Sequence, residues 1–76
     1  MKIKILAFGQ IAEITGKEFA IEAENLASLE RLLIQKFPNL TDKKFAFAVN
    51  KKLVKDHATV LNENDVVALM PPYSGG

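Results

Sequence analysis

The stretch LASLERLLIQKFP, residues 26–38, decides the fold, because it is the one long segment whose apolar residues recur at a helical period. These residues are Leu26, Leu29, Leu32, Leu33 and Phe37. Side chains three or four positions apart stack on one helical face. Asn25 or Ser28 can cap the first turn, and Pro38 disfavours helical geometry at the residue before it. The sequence therefore predicts one main helix that ends before Pro38.

On both sides of this helix, apolar residues recur at every second position, the period of a strand with one buried face. The predicted strands are residues 2–8, 17–23, 45–49, a short segment around 53–54, and 66–70. The residues expected to face the core are Ile3, Ile5, Ala7, Phe19, Ile21, Val67 and Leu69. Residues 9–16 begin and end with glycine and are predicted to be a loop with about one helical turn.

The order of these elements predicts a two-layer α+β domain, because one helix covers only one face of such a sheet. This order resembles the β-grasp, or ubiquitin-like, architecture. The resemblance implies a mixed sheet of four to five strands with one main helix packed on one face. Residues 1–70 are expected to form this domain, and residues 71–76 are expected to form a flexible C-terminal tail ending in Gly-Gly.

Composition excludes several functional classes. The chain has no cysteine and a single histidine, His57, so disulfides, thiolate metal sites and a thiol nucleophile are excluded. The formal charge of +1 gives no field that suggests nucleic acid or a membrane surface as a partner. Neither a signal peptide nor a membrane-spanning run is present, which makes the cytoplasm the expected location.

The C-terminal residues indicate chemistry on a partner protein. Pro71 and Pro72 cannot continue a strand, because proline lacks the N–H group that a sheet ladder needs. Gly75 and Gly76 carry no β-carbon, so the terminal carboxylate could thread a narrow channel in another protein. A terminal carboxylate is an anion at neutral pH and a poor electrophile, and therefore needs activation. Adenylation by a separate ATP-using enzyme would make it reactive toward sulfur.

Strand parity predicts a docking surface beside this tail. If Ile3 and Ile5 face the helix, Phe8 lies on the opposite face of the first strand, as Met70 does on the last strand. Neighbouring first and last strands would place both in one apolar patch, which Leu53 would join.

These motifs together resemble the molybdopterin synthase small subunit family over essentially the whole length. The matching segments are residues 3–9, Glu13 with Thr15-Gly16, Val49-Asn50 with Leu53-Val54, residues 62–68, and Pro71-Pro72 before Gly75-Gly76. The proline pair resembles the molybdopterin branch more than the related thiamine-pathway sulfur carrier. Met70 stands where many members of the family carry an aromatic residue, and its adaptable side chain can fill the same groove.

The resemblance implies a sulfur carrier with no complete active site and no directly bound cofactor. Gly76, preceded by Gly75, would be adenylated by an ATP-using relative of ubiquitin-activating enzyme and converted to a thiocarboxylate with sulfur from a donor protein. The large subunit, in a heterotetramer, would receive the tail and pass the sulfur to a cyclic pyranopterin precursor. The expected contacts with partners are Phe8, Leu53, Met70, Pro71, Pro72 and Tyr73.

Two alternatives to a sulfur carrier remain open at this point. A ubiquitin-like modifier, joined through Gly76 to lysines of other proteins, needs the same activation, and a plain binding module would have an inert tail. His57 is expected to be a loop residue rather than a catalyst. The lysines at positions 43, 44, 51, 52 and 55 are expected to form a solvated face.

Overall fold

A computed structural model of the chain describes residues 1–42 and 45–70. The described elements are β1 (Lys2–Ala7), α1 (Gly9–Thr15), β2 (Glu18–Glu22), α2 (Leu26–Lys36), a 3₁₀ turn (Pro38–Asp42), β3 (Ala46–Val49), β4 (Lys52–Val54) and β5 (Val66–Met70). The strands form one five-stranded sheet in the order β2-β1-β5-β3-β4. Strands β1 and β5 are parallel and the other neighbours are antiparallel, so the sheet is mixed, as predicted.

Helix α2 begins and ends where the sequence predicted. Asn25 is the N-cap, and its Oδ1 accepts a hydrogen bond from the Ser28 backbone N–H at 2.8 Å. The Ser28 hydroxyl in turn accepts from the Asn25 N–H at 3.2 Å, which completes a capping box. Both candidate capping residues therefore take part. Helix α2 ends at Lys36, directly before the C-cap residue Phe37.

The core lies between α2 and one face of the sheet. Ile3, Ile5, Val67 and Leu69 from the central strands β1 and β5 are completely buried. Leu29 of α2 belongs to the same cluster. The strand alternation predicted for β1 and β5 is thus confirmed. In the edge strand β2, the two predicted inward residues are only half-buried, although they pack against this core.

The segment after β1 is more helical than the sequence indicated. Instead of a loop with one turn, residues Gly9–Thr15 form helix α1 of seven residues. Ile11 is 2% exposed and belongs to the core cluster, so its burial stabilises the helix. The backbone leaves β1 through Gly9 at a φ of 59°, a conformation that glycine adopts without a steric penalty.

The turn between β3 and β4 is tied to the start of β5. Asn50 and Lys51 both have positive φ, at 50° and 75°, as a two-residue hairpin requires. Asn50 Oδ1 accepts from the Val66 N–H at 3.0 Å, and its Nδ2 donates to Asp65 at 3.0 Å. These bonds fix the β3–β4 hairpin against β5 and thereby set the position of Leu53.

Neither helix in the described part of the chain has the length and apolar composition that a membrane span requires.

Candidate functional site

The face of the sheet away from α2 carries a continuous row of apolar residues. The registers of three strand pairs place Leu6 beside Ala68, Ala68 beside Ala48, and Ala48 beside Leu53. Neighbouring strands are about 4.8 Å apart, so this row crosses roughly 14 Å of the sheet. It joins β1, β5, β3 and β4 in a single surface, which includes Leu53 as the sequence predicted.

A second row lies at the end of β5, next to the start of the tail. Met70 pairs with Ala46 of β3. The Phe8 N–H donates to the Leu69 carbonyl at 3.1 Å, which brings Phe8 level with the end of β5. The outer-face patch is defined by both rows and consists of Leu6, Phe8, Ala46, Ala48, Leu53, Ala68 and Met70.

The outer-face patch has small side chains at its centre and large side chains at its two sides. Ala48 and Ala68 occupy the middle, and Ala48 is 6% exposed although it lies outside the core cluster. Leu53 at one side is 60% exposed, and Phe8 at the other side is 47% exposed. Small side chains flanked by large exposed ones form a shallow depression that a bulky apolar group of a partner can fill. Because contiguous apolar patches on a protein surface are typical of interaction sites, the outer-face patch is the candidate docking surface.

A groove continues from the outer-face patch toward α1. It is lined by Leu6, Phe8 and Ala12, with Glu13 and Lys17 as its charged members. Both Glu13 and Lys17 are exposed. The groove therefore offers apolar contact together with one charge of each sign, which suits a polypeptide partner better than a purely apolar ligand.

Charged residues border the outer-face patch without interrupting it. Lys4 Nζ lies 3.0 Å from Glu18 Oε2, and both side chains are more than half exposed. An exposed pair of this kind contributes only about 0–1 kcal/mol to stability. Lys51, Lys52 and Lys55 are exposed, in agreement with a solvated face, whereas residues 43 and 44 lie outside the described residues.

His57 has a carboxylate partner that sequence reasoning did not find. Its Nε2 lies 3.1 Å from Glu30 Oε1 of α2, and its ring meets the Phe47 ring edge-on at 6.5 Å. The imidazole and the carboxylate come from residues far apart in sequence, so no local motif could have revealed the contact. Within residues 1–42 and 45–70, no three histidine, cysteine or acidic residues cluster as a metal site would require. The contact between His57 and Glu30 links the loop before Ala58 to α2, and both side chains stay partly exposed.

The predicted site residues fall into two groups. Phe8, Leu53 and Met70 lie on the outer-face patch, at the places that strand parity predicted. Their role in partner binding stays a prediction. Pro71, Pro72, Tyr73, Gly75 and Gly76 lie outside the described residues. The described part of the chain ends at Met70, the last residue of β5, which lies on the outer-face patch.

A family model and a known protein both match nearly the whole chain. Residues 5–76 match the ThiS family. The molybdopterin synthase sulfur carrier subunit of Dictyostelium discoideum is 29% identical over 83 aligned positions, which cover 99% of this chain and 96% of that protein.

Two solved structures are similar over nearly their whole length. The chain from a protein–protein complex of subunits 1 and 2 of the molybdopterin-converting factor of Helicobacter pylori is 32% identical, with a TM-score of 0.76 and complete coverage of both chains. The putative molybdopterin converting factor subunit 1 of Pyrococcus furiosus has a TM-score of 0.89 and 21% identity, covering 96% of this chain and 99% of that chain. The second likeness bears on the fold alone, and it agrees with the β-grasp architecture.

Proposed function

The chain belongs to the ThiS family, and from this premise we propose that it is the sulfur-carrier subunit of a molybdopterin synthase. One structural observation carries the proposal. The last described residue of β5, Met70, lies in the outer-face patch, so the chain continues toward Gly76 from the edge of an exposed apolar surface. A partner that covers this patch is therefore next to Met70, the residue before the C-terminal segment that carries the terminal carboxylate.

The proposed chemistry takes place at the carbonyl carbon of Gly76. Attack of the Gly76 carboxylate on ATP forms an acyl-adenylate and releases pyrophosphate, on a separate adenylating enzyme related to ubiquitin-activating enzyme. Hydrosulfide supplied by a donor protein then attacks the carbonyl carbon and displaces AMP as the leaving group, which leaves a thiocarboxylate and releases a proton. This chain supplies the reactive carbonyl and the docking surface, while its partners supply nucleotide binding and catalysis.

The proposed acceptor of the tail is a molybdopterin synthase large subunit, in a heterotetramer. The Helicobacter pylori relative was solved as a complex of subunits 1 and 2 of its molybdopterin-converting factor, which supports a partner of this kind. On the large subunit, the sulfur would pass to a cyclic pyranopterin precursor to build the dithiolene. Pro71, Pro72 and Tyr73 would contact that subunit as part of the tail, and Phe8, Leu53 and Met70 would contact its surface.

Intact mass spectrometry tests the proposal. The 76-residue chain is incubated with the adenylating enzyme, ATP and a sulfide source, and the mass is expected to rise by the difference between sulfur and oxygen. Deletion of Gly76 should abolish the change, whereas Ser74→Ala, which keeps both glycines, should preserve it. A chain that gains no sulfur, or gains it without Gly76, contradicts the sulfur-carrier proposal.

The same reaction separates the carrier from a ubiquitin-like modifier, since both require activated Gly76. When a cell lysate is added to this reaction, a modifier would appear as isopeptide adducts between Gly76 and lysines of other proteins. A carrier would remain as free thiocarboxylate until it meets the large subunit and the pyranopterin precursor. Adducts that form while no sulfur reaches the precursor would favour the modifier.

A further inference from the structure

Strand β2 leaves one of its edges unpaired among the described residues. The Ala7 N–H donates to the Lys17 carbonyl at 2.9 Å, and the Ala23 N–H donates to the Met1 carbonyl at 3.0 Å. Hydrogen bonding alternates along an antiparallel pair, so the odd-numbered residues of β2 face β1. The N–H and C=O groups of Glu18, Ala20 and Glu22 therefore point away from the sheet. Such an edge can accept an added strand.

The side chains beside this edge define which strand would fit. On the outer face, the exposed Glu18 and Glu22 flank Ala20, whose small side chain leaves room above the strand. On the core face, Phe19 and Ile21 are half-buried and offer apolar contact. An incoming strand therefore needs cationic residues on one face and apolar residues on the other.

Strand β1 already shows this pairing on the opposite edge of β2. Its Lys2 and Lys4 lie opposite Glu22 and Ala20, and Lys4 reaches Glu18 at 3.0 Å. Its Ile3 and Ile5 lie opposite Ile21 and Phe19 on the core face. We propose that the free edge of β2 binds an extended segment of another protein in which lysine or arginine alternates with apolar residues.

A second copy of this chain does not meet these requirements. Antiparallel pairing of two β2 edges would place glutamates opposite glutamates, which is destabilising. Strand β1 of a second copy is already held between its own β2 and β5. The other edge strand of the described sheet, β4, lacks the required pattern, because only Lys52 of its three residues is cationic and Val54 lies on the same face as Lys52. The charge of the edge therefore selects a different protein.

An NMR titration of the full-length chain tests the proposal. The probe is an acetylated synthetic peptide in which three arginines alternate with two valines, flanked by glycine and serine. We expect saturable changes in the backbone amide signals of Glu18, Ala20 and Glu22, weakened by added salt. A peptide with glutamate in place of arginine should leave the spectrum unchanged. Changes centred instead on the outer-face patch, or none at millimolar peptide, would overturn the proposal.

Variants at the free edge of β2 test the proposal further. The double variant Glu18→Lys, Glu22→Lys reverses both charges. It should raise the dissociation constant of the arginine peptide at least about tenfold and should allow the glutamate peptide to bind. Ala20→Pro should abolish binding of the arginine peptide while the β1–β2 ladder persists, because the Ala20 N–H points away from β1. Should Ala20→Pro fail to fold, an arginine peptide N-methylated along one edge replaces it and should not bind the wild-type chain. Undiminished binding in any of these cases rules out strand addition at β2.

Discussion

Truncation of Leu53 should weaken binding of the large subunit without unfolding the chain. Complete burial of a leucine side chain contributes about 1.5–3 kcal/mol. Leu53 is 60% exposed before binding, so a partner that covers it gains roughly 1–2 kcal/mol. Leu53→Ala should therefore raise the dissociation constant about 5- to 30-fold, since each 1.4 kcal/mol corresponds to a factor of ten. The free energy of unfolding should change by less than about 0.5 kcal/mol, as is usual for an exposed site.

Val60 provides a matched control for this experiment. Its side chain is 68% exposed, and it bridges Asn25 beside α2 rather than joining the outer-face patch. Isothermal titration calorimetry of wild type, Leu53→Ala and Val60→Ala against the large subunit measures the three dissociation constants. Only the Leu53 variant should bind more weakly. Equal weakening by both variants, or none by Leu53→Ala, would refute the assignment of the outer-face patch as the docking surface.

Three further predictions concern stability and are checked by urea unfolding. Leu29→Ala removes a fully buried side chain of α2 and should cost about 2–5 kcal/mol, enough to unfold much of so small a domain; a loss under 1 kcal/mol would contradict its central position. Asn25→Ala removes half of the capping box and should lower the free energy of unfolding by about 1 kcal/mol, whereas Asn25→Asp should retain most of this stabilisation. Asn50→Ala should be more destabilising than Asn50→Gly by about 1 kcal/mol, because only glycine tolerates the positive φ freely; the reverse order would show that this backbone conformation is not retained.

The spacing of apolar residues along the sequence predicted most of the helices and strands. The alternation in β1 and β5 was sufficient to identify which side chains face α2, because a strand has only two faces. The end of α2 followed from Pro38, whose ring restricts the residue before it. The parallel pairing of β1 with β5 has no local signal in the sequence, and the resemblance to the β-grasp order indicated only a mixed sheet in which these strands are neighbours.

The remaining features depend on contacts between distant residues. Helix α1 was underestimated because the six residues between Gly9 and Gly16 have a weak helical signal, and Ile11 stabilises the helix only once the core exists. The contact of His57 with Glu30 joins a loop to a helix across 27 positions of sequence, with no spacing rule to predict it. The shallow centre of the outer-face patch likewise needs Ala48 and Ala68 to become neighbours, which requires the correct order of strands.

The parallel pairing of β1 and β5 also limits what the proposed partner can look like. Parallel strands end at the same edge of a sheet, so Phe8 and Met70 come together at the point from which residues 71–76 continue. Six fully extended residues span at most about 20–22 Å. A large subunit that covers the outer-face patch must therefore hold its sulfur-accepting centre within roughly that distance of Met70. A complex in which the acceptor pocket lies farther away could not receive sulfur from Gly76, however tightly the two proteins bind.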